Sequence, residues 1–205
     1  MAYAFPVVVL HRANQRLHMA LAAYHNMLRP YDFNQFKMIW SDFMSNTGAV
    51  IHALEAGSKG SPQLRQWYGN LKREMRNEPF LKYMYQARNA NAHSASRMLG
   101  VRLGQRSLPG RVFVLEETIN VDAKGHTLPP SILMSEEGNQ VDTTGGVVVL
   151  WRVLGKRHGD IYDVPICFRG KALAPDKPHV FAALYQNYLS DLVKTAAALE
   201  PAPRR

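Results

Sequence analysis

The chain is poor in cysteine. Cys167 is the only one in 205 residues, so no intramolecular disulfide can form, and a chain of this length can bury a core without one. A reducing, cytoplasmic compartment follows as the expectation. "VPICFRG" resembles the end of a strand, which predicts that Cys167 is a buried, inert thiol. Long apolar runs are also missing. The short run in "MAYAFPVVVLHRAN" has no basic leader, and no window approaches the ~18 apolar residues of a membrane span. The sequence therefore predicts a soluble protein with no membrane partner. The 8 histidines are scattered, with no His-x-His or His-x-x-x-His beside carboxylates, so no metal site and no cofactor is expected. There is no internal repeat and no low-complexity tract.

Acidic residues are few relative to basic ones. Twenty-five Lys and Arg against 16 Asp and Glu give a formal net charge of +9 and a pI near 9.8. Such an excess favours a polyanionic partner, nucleic acid before lipid.

The first half has helical periodicity. Ala13, Leu17, Ala20, Leu21, Tyr24 and Leu28 share one face of a helix over residues 11–28, which Arg29-Pro30 ends. Phe33, Phe36, Trp40, Phe43, Thr47, Val50 and Leu54 alternate steps of three and four in a second helix, with Asp32 as its cap and Gly57 and Gly60 closing it. A short turn between two long helices predicts an antiparallel hairpin. Ser61-Pro62 opens a third helix carrying Leu64, Trp67, Leu71 and Met75. Pro79 interrupts it, and a fourth helix is predicted from there to about Leu99, with Gly100 as terminator.

Composition changes after Gly100. "RVFVLEETINV", "SILMS", "GGVVVLWRVL" and "DIYDVPICF" are β-branched or aromatic runs separated by turn-forming segments. They predict a small antiparallel sheet of three to five strands. Beyond Pro175 the helical pattern returns through Val180, Phe181, Leu184, Tyr188, Leu192, Val193 and Ala196, with Asp176 as cap. The expected fold class is α+β, mainly α: an antiparallel helical bundle (1–99), a β-rich insertion (100–174), and a C-terminal helix with a frayed tail (175–205) that completes the bundle.

"FLKYMYQARNANAHSASRML" (80–99) poses the functional question. On a helical wheel Phe80, Leu81, Met84, Ala95, Met98 and Leu99 form one apolar arc, with Arg88 near its middle and Asn91 on it. A guanidinium leaves water only if its donors are paired. His93 lies about 140° round from Arg88 on an ideal helix, and Asn89 is one turn before it. Two helices facing each other across a two-fold axis would bring two Arg-His pairs together.

Arg88, Asn89 and His93, in "RNANAH", match the R-x4-6-H motif, often beginning Arg-Asn, of the HEPN superfamily (higher eukaryotes and prokaryotes nucleotide-binding), which the segment from Leu10 to Leu99, together with the terminal helix, resembles. The resemblance implies a small helical bundle. It also implies a metal-independent endoribonuclease acting as a homodimer through the motif helix, of the toxin-antitoxin or phage-defence type, with RNA as substrate and an antitoxin or other protein as partner. His93 would be the general acid/base, Arg88 the phosphate-binding group, and Asn89 the residue that positions the motif. Family members without activity serve as binding modules, so a catalytically silent module binding protein or nucleic acid is the alternative.

RNA carries its own nucleophile, the 2′-hydroxyl. Histidine suits the proton transfers and arginine the charge on phosphorus. Tyr85, near the motif, is a candidate to stack on a base, while core packing is expected for one of Tyr83 and Tyr85 and surface exposure for the other. Lys156 and Arg157 in "GKRHGD", with Arg152 and Arg169 nearby, are candidates to contact a phosphate backbone. Against these stands a structural account, in which Arg88 is a core arginine paired with Glu74, Glu78 or Asp42 and His93 faces solvent.

Overall fold

The computed structural model describes residues 4–29, 33–94, 99–102, 147–154, 160–174 and 177–199. Helix α1 (Val7–Met27) begins one turn earlier than periodicity suggests. Pro6, at φ −58° and without an amide to satisfy, starts it cleanly. Helix α2 (Phe33–Ser58) lies against α1. Its stripe is buried as its spacing requires: Trp40, Phe43, Thr47, Val50 and Leu54 have no exposed surface. Thr47 meets the cost of a buried hydroxyl by donating to the Met44 carbonyl at 3.0 Å. The proposed Asp32 cap lies outside the described residues.

Helix α3 (Pro62–Asn77) starts as predicted. The Ser61 hydroxyl accepts from the Leu64 amide at 3.2 Å, with Pro62 at the first helical position. Helix α4 (Pro79–Ser94) follows after a single break. Glu78 turns its carboxylate onto the Leu81 amide at 2.7 Å, satisfying one of the free donors at the new helix start.

Two sequence expectations need correction here. Leu99 and Gly100 do not end α4 but lie in a strand, β1 (Leu99–Arg102), paired antiparallel with β2 (Val147–Leu150) in the register Leu99–Leu150 and Gly100–Val149. Leu99 is 1 % exposed, so its apolar character reflects burial in a strand rather than a longer helical stripe. The second correction concerns the sheet. Among the described residues the strands form three separate antiparallel pairs rather than one sheet: β1–β2; β3 (Val153–Leu154) with β4 (Ile161–Tyr162); and β5 (Cys167–Phe168) with β6 (Lys171–Ala172). The strands expected in "RVFVLEETINV" and "SILMS" lie outside the described residues.

Helix α5 (Pro178–Ala197) packs against α1, α2 and β2. Gln186, buried on α5, donates to the Leu17 carbonyl of α1 at 3.0 Å, and the Asp176 cap falls outside the described residues. The described residues are thus mainly helical, with small antiparallel strand pairs between α4 and α5. One aromatic nucleus joins these parts. Phe80 of α4 stacks on Phe168 of β5 at 4.3 Å between ring centroids and meets Phe181 of α5 at 5.7 Å. Such pairs add about 0.5–1.5 kcal/mol each beyond area burial.

Burial of Phe168 also corrects the expectation for Cys167. Neighbouring residues of a strand point to opposite faces. With Phe168 inward, the Cys167 thiol is exposed. The turn after it, Arg169-Gly170, has positive φ at both positions (46° and 77°), as a two-residue primed hairpin turn requires. Arginine tolerates this conformation poorly. It is held there by Glu74 at 3.4 Å and by the rings of Phe168 and Tyr188, 5.3 and 5.6 Å from its guanidinium carbon.

Candidate functional site

Within α4 (Pro79–Ser94) the described buried side chains are Phe80, Leu81, Tyr83, Met84 and Ala87; Ala95 and Met98 of the predicted stripe lie outside the described residues. Arg88 sits about 70° round the helix from the centre of that buried face. The side chain is accordingly half-buried at the edge of the core.

At that edge Arg88 leans across to α2. Gly48 makes the approach possible: a Cβ there would stand 3.0 Å from Arg88 Cδ and 3.1 Å from Cζ, and closer still to Nε. Four residues on, and so on the same side of α2, His52 completes the contact. Arg88 Nη2 and His52 Nε2 are hydrogen-bonded. Arg88 Nη1 donates to Asn89 Oδ1 at 3.3 Å, so the second residue of the motif supports the first.

The tautomer of His52 follows from its partner. A guanidinium has donors and no acceptor, so Nε2 presents its lone pair and the ring proton is on Nδ1. Nδ1 faces Glu55 Oε2 at 3.8 Å, one turn along α2. Both side chains are open to solvent, at 59 % and 40 % exposure.

Tyrosines border the cluster. Burial pushes the Tyr68 phenol of α3 well up, and the Glu55 charge adds to the effect, while the Arg88 charge opposes it. Burial likewise raises the Tyr185 phenol of α5, again opposed by Arg88. Charges from α2 and α4 are therefore felt by phenols on α3 and α5. Tyr85 is 38 % exposed and Tyr83 is 1 % exposed, with the Tyr83 hydroxyl donating to the Trp151 carbonyl at 2.8 Å. Tyr85 lies three residues before Arg88, a neighbouring position on the helix surface.

None of the three carboxylates considered for Arg88 is its partner. Glu74 accepts from Tyr188 at 3.2 Å and pairs with Arg169. Glu78 caps α4, and Asp42 makes no ion pair among the described residues. Among those residues, Arg88 forms no ion pair at all.

The remaining sequence-predicted residues divide. His93 belongs to the last turn of α4, and its side chain lies outside what the structure describes, as does that of Asn91. Lys156 and Arg157 lie outside the described residues. Arg152 is exposed and pairs with Asp163, which is exposed too, at 3.8 Å, a contact worth little. No described contact joins it to Arg88. His52 is the residue the sequence reading missed. Its signal was Gly48, a glycine inside an otherwise regular apolar helix, which marks a close approach.

Among the described residues no helix is long and apolar enough to cross a membrane, and no three His, Cys, Asp or Glu side chains gather as metal ligands. No family model, no curated protein and no solved structure matches this chain.

Proposed function

We propose that the chain is a HEPN-like, metal-independent endoribonuclease of toxin or phage-defence type, with RNA as its substrate. Arg88 holds the scissile phosphate and stabilises the charge that builds on it, Asn89 steadies Arg88, and His93 transfers protons. Pairing of two α4 helices in a homodimer brings a second Arg-His set to the same place, and a cognate antitoxin is the expected partner. Tyr85 and the basic residues Arg152, Lys156 and Arg157 bind the rest of the strand.

One observation carries this reading: a half-buried guanidinium, supported by Asn89 and an imidazole, with no carboxylate to neutralise it among the described residues. A structural arginine at the rim of a core is normally matched by an anion. A charge that no described carboxylate meets suits a phosphate, which its planar fork of donors fits. The formal net charge of +9 acts in the same direction by attracting polyanions.

The test is cleavage of labelled RNA in the presence of EDTA. Wild-type protein is expected to cut. Arg88→Ala and His93→Ala are each expected to slow cleavage about 10²- to 10³-fold, the scale on which single transition-state contacts act. Cleavage that survives both substitutions contradicts the assignment. RNA binding without cleavage indicates the silent module instead.

A further inference from the structure

We infer that His52 of α2, which the sequence motif does not include, is a catalytic proton-transfer group of this site, paired with Arg88 inside a single protomer. The inference rests on the ribonuclease reading and adds a residue to it.

Three features single out His52 among the described histidines. It is hydrogen-bonded to Arg88, so a phosphate held by that guanidinium lies within reach of the imidazole. Its Nε2 is the unprotonated nitrogen, as a general base requires. Glu55 faces Nδ1 at 3.8 Å, on the side of the ring away from Arg88, the place a carboxylate takes beside a catalytic histidine. Gly48 belongs to the same device, since any larger residue would push Arg88 away from the imidazole.

The step follows from this geometry. Phosphate oxygens take over the guanidinium donors, which frees the Nε2 lone pair. The 2′-hydroxyl gives its proton to Nε2, and the 2′-oxygen forms its bond to phosphorus. The bond from phosphorus to the 5′-oxygen then breaks, and its electron pair leaves on that oxygen, which takes a proton from a second imidazole, His93 in the reading above. The products are a 2′,3′-cyclic phosphate and a 5′-hydroxyl. One proton has passed from His93 to His52, and water returns both to their starting states.

His52→Ala tests this directly, because a side chain 59 % exposed can be removed without opening the core. Cleavage is expected to fall about 10²- to 10⁴-fold, the range of general-base catalysis, with RNA binding and thermal stability retained. Imidazole added to the buffer is expected to restore part of the rate, since small molecules can enter the vacated position, and a purely structural role would give no such rescue. Glu55→Gln is expected to lower kcat more mildly, with KM unchanged. A wild-type chain that cuts and an H52A chain that cuts equally fast overturn the role of His52 and leave the ribonuclease reading intact. Loss of cleavage through loss of RNA binding, without rescue by imidazole, overturns it too. A wild-type chain that cuts no RNA overturns the ribonuclease reading itself.

Discussion

At Gly48 the proposed function and stability make opposite demands on a single residue. Alanine stabilises a helix interior by about 1 kcal/mol relative to glycine, yet a Cβ at position 48 collides with the Arg88 side chain. That side chain is flexible and only half-buried, so it can move aside at small cost. Gly48→Ala is therefore expected to leave the melting temperature unchanged or slightly raised while cleavage falls by at least about tenfold, as expected when a positioned group is shifted by an ångström. A variant that melts lower and cuts normally would contradict this. Arg88 stood out in the sequence because its polarity interrupts an apolar helical stripe, whereas Asn89 was singled out by the motif alone. His52 was not legible there, because it is 36 positions from Arg88 in the chain. Only the crossing of α2 and α4 brings the two together, and the visible trace of that crossing was an absent side chain at Gly48.

Helices and strands differ in how far their sequences announced them. Helices α1 to α3 follow from the three-four spacing and from Ser61-Pro62, since each has a continuous buried face that its own residues define. The end of α4 was misplaced because Leu99 extends the helical stripe by coincidence, its burial being due to strand β1. Short strand pairs bury only alternate side chains, so Val153 and Phe168 carry little periodic signal, and the exposure of Cys167 depends on which neighbour turns inward. Where α1 and α2 cross, a second glycine matters to the fold. A Cβ on Gly57 would lie 2.7 Å from both Phe5 Cδ1 and Val9 Cγ1. Phe5 is 3 % exposed and is held edge-on by Trp67 at 5.3 Å, so it cannot swing away. Gly57→Ala is expected to destabilise by about 1–3 kcal/mol, as overpacking does, measured by urea unfolding. An unchanged midpoint would mean that the two helices cross more loosely than described.

At the scale of the whole molecule, buried phenols tie α3, α4 and α5 into one core and set its response to base. Burial raises the Tyr83 and Tyr185 phenols above their ordinary range, and burial together with the Glu74 charge raises Tyr188. A phenol that ionises less readily when folded stabilises the fold fully below its unfolded pKa of about 10, and that contribution is lost as pH rises toward the folded value. Unfolding free energy is thus expected to fall above about pH 10, with the last part of the phenolate absorbance, that of the buried tyrosines, appearing together with loss of helical circular dichroism. Full ionisation of all 9 tyrosines while the helices persist would contradict this.

The same core holds Arg88 against His52, and the chemistry proposed for the pair requires the RNA 2′-hydroxyl as nucleophile. Its most direct test is analysis of the ends that the protein leaves on RNA in EDTA, beside the same RNA carrying one 2′-deoxy nucleotide at the cut. The expected result is a 2′,3′-cyclic phosphate, a 5′-hydroxyl, and no cut at the deoxy position. Products with a 3′-hydroxyl and a 5′-phosphate, or cutting at the deoxy position, would contradict it.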